Sequence, residues 1–432
     1  MNTLIYTLGV LLFVVGVVLS IALHELGHMI PAKKFGIKVT QYFVGFGNTI
    51  WSTKRGETEY GFKSIPLGGY VKLVGMLPPA KDADPHEVRE TNTGLFTQLI
   101  SDARNAEYEH VEDKDLDRLF YRKPWWQKLI VMAGGPTVNI VIAAVLFAIV
   151  FIGFGAEQPS TTVQGVSDCA IPDSQAGRAC TAKDPITPAK KAGLQAGDQI
   201  KTFNGTKVTS WDQLTTLIRG NGSRNATIVY DRDGKQRTRT VATSVLARAS
   251  ETDPTKTVDV GFLGVTPTTE YVRQSPVYVA RVMGDYVKGT AVAIAHLPVR
   301  MVDVTKAAFG GTRDANGPIS VVGASRVAGE IVTLDNPSWA ERLQRVLLLL
   351  AGLNLFLALF NFIPLLPLDG GHIAGALWEP IRRGFAKMRG RPDPGYVDVA
   401  RMLPIAYGVG ALLMLMSVIL IYADIVNPVK LT

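Results

Sequence analysis

The chain is short of charge. Of its 432 residues, 19% are Asp, Glu, Lys or Arg, against about 25% in an ordinary soluble protein. That argues against disorder and against a highly charged nucleic-acid binder. Cysteine is scarcer still. Two in the whole chain exclude a disulfide-dense scaffold and a Cys-rich zinc fold. There is no internal repeat and no low-complexity tract. What the chain has instead is apolar character, 47% of its residues, and a net charge of +8. A basic balance is compatible with nucleic acid, an anionic membrane surface or retained cytoplasmic loops.

The apolar residues are concentrated. Leu4 to Leu23, Leu129 to Phe154, Val346 to Leu368 and Leu403 to Ala423 contain no charged residue. Each has the length, about 20 residues, that crosses a bilayer as a helix. The first lacks a basic leader and a small-residue cleavage site, so it reads as a span rather than a signal peptide. Four such runs predict a polytopic α-helical membrane protein.

Charge predicts the orientation. Fifteen Lys and Arg lie between Ala32 and Lys128, and Arg382, Arg383, Lys387, Arg389, Arg391 and Arg401 separate the last two runs. No basic residue follows the second run until Arg178. The positive-inside rule puts both basic loops in the cytoplasm and both termini outside. Arg342 and Arg345, just before the third run, count against this. The basic and aromatic string Phe120 to Lys128 fits a membrane-interface belt better than a nucleic-acid surface.

The predicted layout is a first transmembrane helix over 1–30, a cytoplasmic loop with β-hairpins and a polar insertion over 31–124, and a second helix over 125–155. An extracytoplasmic β-rich module follows over 160–266, then an amphipathic extracytoplasmic segment over 275–344. The third helix covers 345–371, a cytoplasmic loop 372–402 and the fourth helix 403–425. In the module, Asn204-Gly205 and Asp233-Gly234 read as hairpin turns. Cys169 and Cys180 fall there, where an oxidising compartment permits a disulfide or leaves two thiols. The amphipathic Pro276 to Phe309 reads as a helix broken near Pro298, either lying on the outer leaflet or packed on the module. Asp82 to Asp117 reads as a polar insertion.

The chemistry is predicted at the end of the first run, in His24-Glu25-Leu26-Gly27-His28. On a helix, residues four apart differ by about 40° in azimuth, so both imidazoles can face one ion. Glu25 flanks the same face and can accept a proton from water. The bland alternative is two helix-end histidines satisfied by neighbours, but ionisable groups inside a span are costly and mark function. One Zn2+ suits the site, with a third ligand from His, Asp or Glu. Asp369 and His372, in Leu368-Asp369-Gly370-Gly371-His372, are the candidates, with Asp369 preferred. Both runs enter from outside, which puts Asp369 at the depth of His24 and His28. Pro364 and Pro367 break the helix just before it, and irregular backbone at membrane depth needs protein or a water-filled cavity beside it.

These motifs resemble the site-2 protease family of intramembrane zinc metalloproteases, in its bacterial regulator-of-sigma-E protease branch. Pro66 to Lys72, Gly134-Gly135-Pro136-Thr-Val-Asn139 and Gly317-Pro318-Ile319 carry the resemblance further. Pro188 to Gly205 resembles a PDZ domain, counted once here where the branch often has two. The resemblance implies a four-helix membrane fold with an extracytoplasmic PDZ domain. It implies zinc on His24, His28 and Asp369, with Glu25 as catalytic base. It implies substrate contacts from Asn361, Pro364, Gly68 and Gly69, the glycines within a β-loop that pairs with an unwound substrate. Asn361 has a plainer reading as interhelical glue, which also suits Asn139. Expected partners are the lipid bilayer and single-span membrane proteins such as anti-sigma factors or remnant signal peptides, cut after an upstream site-1 protease; no nucleic acid is expected. The expected location is the bacterial inner membrane, with the active site near the cytoplasmic side. A zinc transporter would not need Glu25 beside the metal, and a silent adaptor would have no reason to keep a complete ligand set.

Overall fold

The computed structural model describes residues 2–79, 100–104, 111–172, 175, 178–249, 257–334 and 337–429. Much of the polar insertion read at Asp82 to Asp117 lies outside them. Four helices among them are long and apolar enough to cross a membrane: Thr3–Lys34, Trp125–Phe154, Trp339–Asn361 and Val399–Val426. They are called spans one to four below. The chain divides into two compact units, Met1–Gly153 with Ser275–Thr432, and Phe154–Gln274.

The first unit is built on spans one, two and three. Phe13, Val17, Val346 and Leu350 form one buried layer between spans one and three. Ala143, Phe147, Ala351 and Leu355 form another between spans two and three. Apolar side chains cannot distinguish protein from lipid, so close approach of small residues and buried polar contacts set which faces meet. Ser20 supplies such a contact. Its Oγ donates to Gly16 O at 2.9 Å and accepts from Asn354 Nδ2 at 3.0 Å, tying span one to span three.

Between spans one and two, β1 (Val39–Arg55) and β2 (Thr58–Leu73) form a long hairpin, paired from Val39↔Leu73 out to Arg55↔Thr58. It doubles back, so that Gln41 to Val44 also lie beside Glu59 to Phe62. Its base is anchored by Lys38, whose Nζ is 2.6 Å from Asp115 Oδ2. Burial pushes the Asp115 carboxyl up, but the bond to and charge of Lys38, with the Glu112 backbone and Arg118, together hold it below the usual range. The Tyr42 hydroxyl donates to Ala22 O at 2.7 Å, which lays the hairpin against span one.

The amphipathic segment forms two helices, Pro276–Ala295 and Leu297–Ala308, which meet at His296. Pro298 sits in the first turn of the second, where its missing N–H costs nothing. The first helix packs on spans two and three through Val279. The second packs on span four through Met301, Val304 and Ala308 around Ala423.

After span three the chain turns through Phe362 to Leu368 and enters a helix at Asp369–Met388. Lys128 of span two and Glu379 of this helix form a buried pair at 2.6 Å, their side chains 7% and 3% exposed. Breaking a buried pair strands one charge, which costs about 3–5 kcal/mol. Glu379→Ala is therefore expected to lower the melting temperature of the detergent-solubilised protein sharply. A melting curve that superimposes on that of the unaltered chain would show that Lys128 finds other compensation.

The second unit is a separate β-rich body. Its main sheet runs β10-β3-β4-β6-β7, where β3 is Ala156–Val166, β4 Gln199–Phe203, β6 Asn225–Arg232, β7 Lys235–Ala242 and β10 Val265–Val272. The short β5 (Thr206–Lys207) pairs with β4, and β8 (Ser244–Ala249) pairs with β9 (Thr257–Phe262). Both predicted turns form, with positive φ at Asn204, Gly205, Asp233 and Gly234. The helix Trp211–Asn221 buries Leu214 and Ile218 against Val163, Ile200, Phe203, Ile228 and Tyr230. Asp198, fully buried, is held by Arg232 at 2.6 and 2.8 Å. Cys169 and Cys180 are joined as a disulfide.

Candidate metal centre

His24 and His28 lie one turn apart inside span one, 9% and 6% exposed. His28 Nδ1 is 2.8 Å from Val131 O of span two. Nδ1 must therefore carry the proton, and the other nitrogen of the neutral ring presents a lone pair. That Nε2 stands 3.2 Å from His24 Nε2. Asp369 Oδ2 stands 3.3 Å from His24 Nε2 and 3.4 Å from His28 Nε2. Asp369 opens its helix and is brought back to span one by the turn before it. Gly370 makes that turn possible, because a Cβ there would meet Ile363 O at 2.1 Å.

The donor set fits zinc. A tetrahedral ion bonded at about 2.05 Å separates its ligands by about 3.3 Å, the spacing seen among these three atoms. Without a cation, the lone pair of His28 Nε2 would face the Asp369 carboxylate at 3.4 Å, acceptor against acceptor. Two imidazoles and one carboxylate with a further position free is the ligand class of catalytic rather than structural zinc. Among the described residues, these are the His, Cys, Asp and Glu side chains grouped to hold an ion. His372 is placed elsewhere. It lines a small cavity with Lys128, Glu379, Tyr121 and Val397.

Glu25 lies beside the cluster on span one, and β2 packs against it. A Cβ on Gly69 would meet Glu25 Cγ at 2.9 Å, and Glu25 interacts with the Val71 backbone N–H. Gly68, at φ +119°, lies against the Phe46 ring. Asn361 ends the helix of span three, half-buried, and Pro364 is exposed in the turn before Asp369. The structure thus gathers His24, His28, Asp369, Glu25 and Gly69. It places Gly68 next to that group in sequence and Asn361 and Pro364 on the approach to Asp369.

Sequence reasoning did not assign the part of span two that completes the centre. A Cβ on Gly135 would meet His28 Nε2 at 2.3 Å and His24 Nε2 at 2.7 Å. The two backbones also cross closely: a Cβ on Gly134 would lie 2.0 Å from Gly27 O. Span two is therefore a wall of the site, supplying Val131 O and room at Gly135. The available signal was the Gly134-Gly135 pair inside an apolar run, since small residues there mark helix crossings. Asn139, also in span two, is buried, and its Oδ1 has no hydrogen-bond partner among the described residues.

Comparison with known proteins adds an independent line. A sequence model of peptidase family M50 matches residues 12–400. The chain is 34% identical to zinc metalloprotease Rip1 of Mycobacterium tuberculosis, over 99% of this chain and 100% of that protein. It is 32% identical to zinc metalloprotease Rip1 of Mycolicibacterium smegmatis over the same shares. It is 27% identical to metalloprotease MmpA of Caulobacter vibrioides over 86% of each.

Proposed function

The chain belongs to peptidase family M50, and from that premise we propose that it is a zinc metalloendopeptidase that cuts membrane proteins within or near their membrane segments. The carrying observation is the convergence of His24, His28 and Asp369 on one buried point, with Glu25 alongside, in a chain with four apolar spans.

His24, His28 and Asp369 would hold the metal. When bound, zinc lowers the pKa of water toward about 7 and polarises a carbonyl. Glu25 takes the proton from the attacking water and delivers it to the leaving amine. Val131 O fixes the His28 tautomer so that its lone pair points inward. A transmembrane helix hides its peptide bonds in its own hydrogen bonds, so a substrate must unwind first. Adding the unwound stretch as a strand beside β2 presents the scissile amide next to Glu25. The packing of Gly69 on Glu25 supports this, and Gly68, Asn361 and Pro364 are assigned to the same substrate backbone.

The second unit is read as a PDZ domain outside the membrane that excludes substrates whose outer domain is intact. Substrates would then be anti-sigma factors or signal-peptide remnants already cut by a site-1 protease. The setting would be the bacterial inner membrane, with both termini extracytoplasmic and the active site near the cytoplasmic side.

The test uses the full chain in nanodiscs with a tagged single-span substrate. A zinc chelator is expected to abolish cleavage and added zinc to restore it. Asp369→Asn should lose the bound zinc, while His372→Ala should keep it at one per chain. Cleavage that survives complete zinc removal would sink the assignment, and zinc loss in His372→Ala alone would exchange the third ligand.

A further inference from the structure

The helix that begins with Asp369 wears its apolar side outward. Over Asp369–Met388, the side chains of Leu377, Trp378, Ile381, Phe385 and Met388 are between 43% and 74% exposed. At about 100° per residue they fall within an arc of about 100°. The opposite side turns inward: Ala376 and Glu379 are buried, and His372 and Glu379 line the cavity against Lys128. Water would drive the reverse arrangement, and an apolar stripe of this kind marks a docking surface.

The helix cannot itself span, because it carries Glu379, Arg382, Arg383 and Lys387. It lies between span three and span four. A segment between two consecutive spans stays at one face of the bilayer. Lys387, Arg389 and Arg391 are exposed where the apolar arc ends. The two acids of the helix are committed elsewhere, Glu379 to Lys128 and Asp369 to the histidine cluster. Asp393, just beyond, faces Arg383 at 3.4 Å, which leaves Lys387, Arg389 and Arg391 in excess and the exposed rim basic.

We infer that this face is seated on an anionic lipid surface. Leu377, Trp378, Ile381, Phe385 and Met388 enter the boundary between headgroups and acyl chains, and the basic rim meets lipid phosphates. The consequence for catalysis rests on the zinc reading: Asp369 is the first residue of this helix, so anionic lipid holds the third metal ligand in place.

The native cysteines are joined, so a single introduced cysteine is the one free thiol. Nitroxide labels at Leu377→Cys, Phe385→Cys and Lys387→Cys are placed in the full chain, in phosphatidylcholine nanodiscs with and without phosphatidylglycerol. At 377 and 385 the label is expected to collide more with oxygen than with a water-soluble nickel chelate, and at 387 the reverse. Zinc release to a chelator should be severalfold slower with phosphatidylglycerol, and Lys387→Gln/Arg389→Gln/Arg391→Gln should abolish that difference. Nickel-dominated collisions at 377 and 385 would overturn the placement, as would shielding of both labels by a second copy or a partner protein. Equal zinc release in both lipids would overturn the regulation. A chain that binds no zinc but carries lipid-buried labels sinks the protease reading and not the placement.

Discussion

Glu25→Gln is expected to lower cleavage by about 10²–10⁴-fold, the range for loss of a positioned acid–base group, while keeping one zinc per chain. Glutamine preserves the shape that packs on Gly69 but cannot accept a proton. Glu25 also stands outside the group of ligand atoms formed by His24, His28 and Asp369. The two readouts therefore separate. Loss of both zinc and cleavage would make Glu25 a ligand, and full cleavage with zinc retained would falsify its role as base. A transporter using the same ligands would lose transport only through the metal.

The second large effect is expected from a methyl group. Gly135→Ala puts a carbon about where the two Nε2 atoms already stand, 2.3 and 2.7 Å away. His28 cannot swing aside without breaking its bond to Val131 O, which comes from the same helix as the new methyl. Nor can span two slide past span one, because Gly27 and Gly134 already touch backbone to backbone. The strain falls on the ligands. Zinc affinity is expected to drop by about 100-fold or more, the upper end for a lost supporting contact, with cleavage undetectable. Gly153→Ala is the control, since a Cβ there meets nothing within 4 Å. Normal zinc content in Gly135→Ala would mean that the wall yields and the centre is looser than drawn.

Most of the spans could be read in advance, and of the residues gathered at the centre all but those of span two, Val131 and Gly135, were assigned to it from the sequence. A bilayer demands about 20 apolar residues in a row, and four runs supply them. One helical turn brings residues four apart to one face, so His24 and His28 can face one metal ion. Asn-Gly and Asp-Gly announce turns because few residues adopt positive φ cheaply, and both turns formed. Glycines pressed against another helix carry no such local mark. Neither does a carbonyl such as Val131 O, which every residue possesses.

By itself, then, the sequence determined four apolar runs long enough to span a membrane, a histidine pair on one helical face with a carboxylate between its members, and a β-rich body between the second and third runs. Only the tertiary structure showed how Asp369, preferred over His372 from the sequence, comes within 3.3 and 3.4 Å of the two Nε2 atoms. Asp369 and His372 are three residues apart on one helix, and their side chains end in different places. One reaches span one, and the other lines a cavity with Lys128 and Glu379. The physical reason is range. Periodicity along a chain fixes which of its own residues share a face, but a site assembled from residues 24, 28, 131, 135 and 369 exists only where three helices pack. That packing is set by small residues and buried polar pairs, not by apolar character, which every face of a span can share.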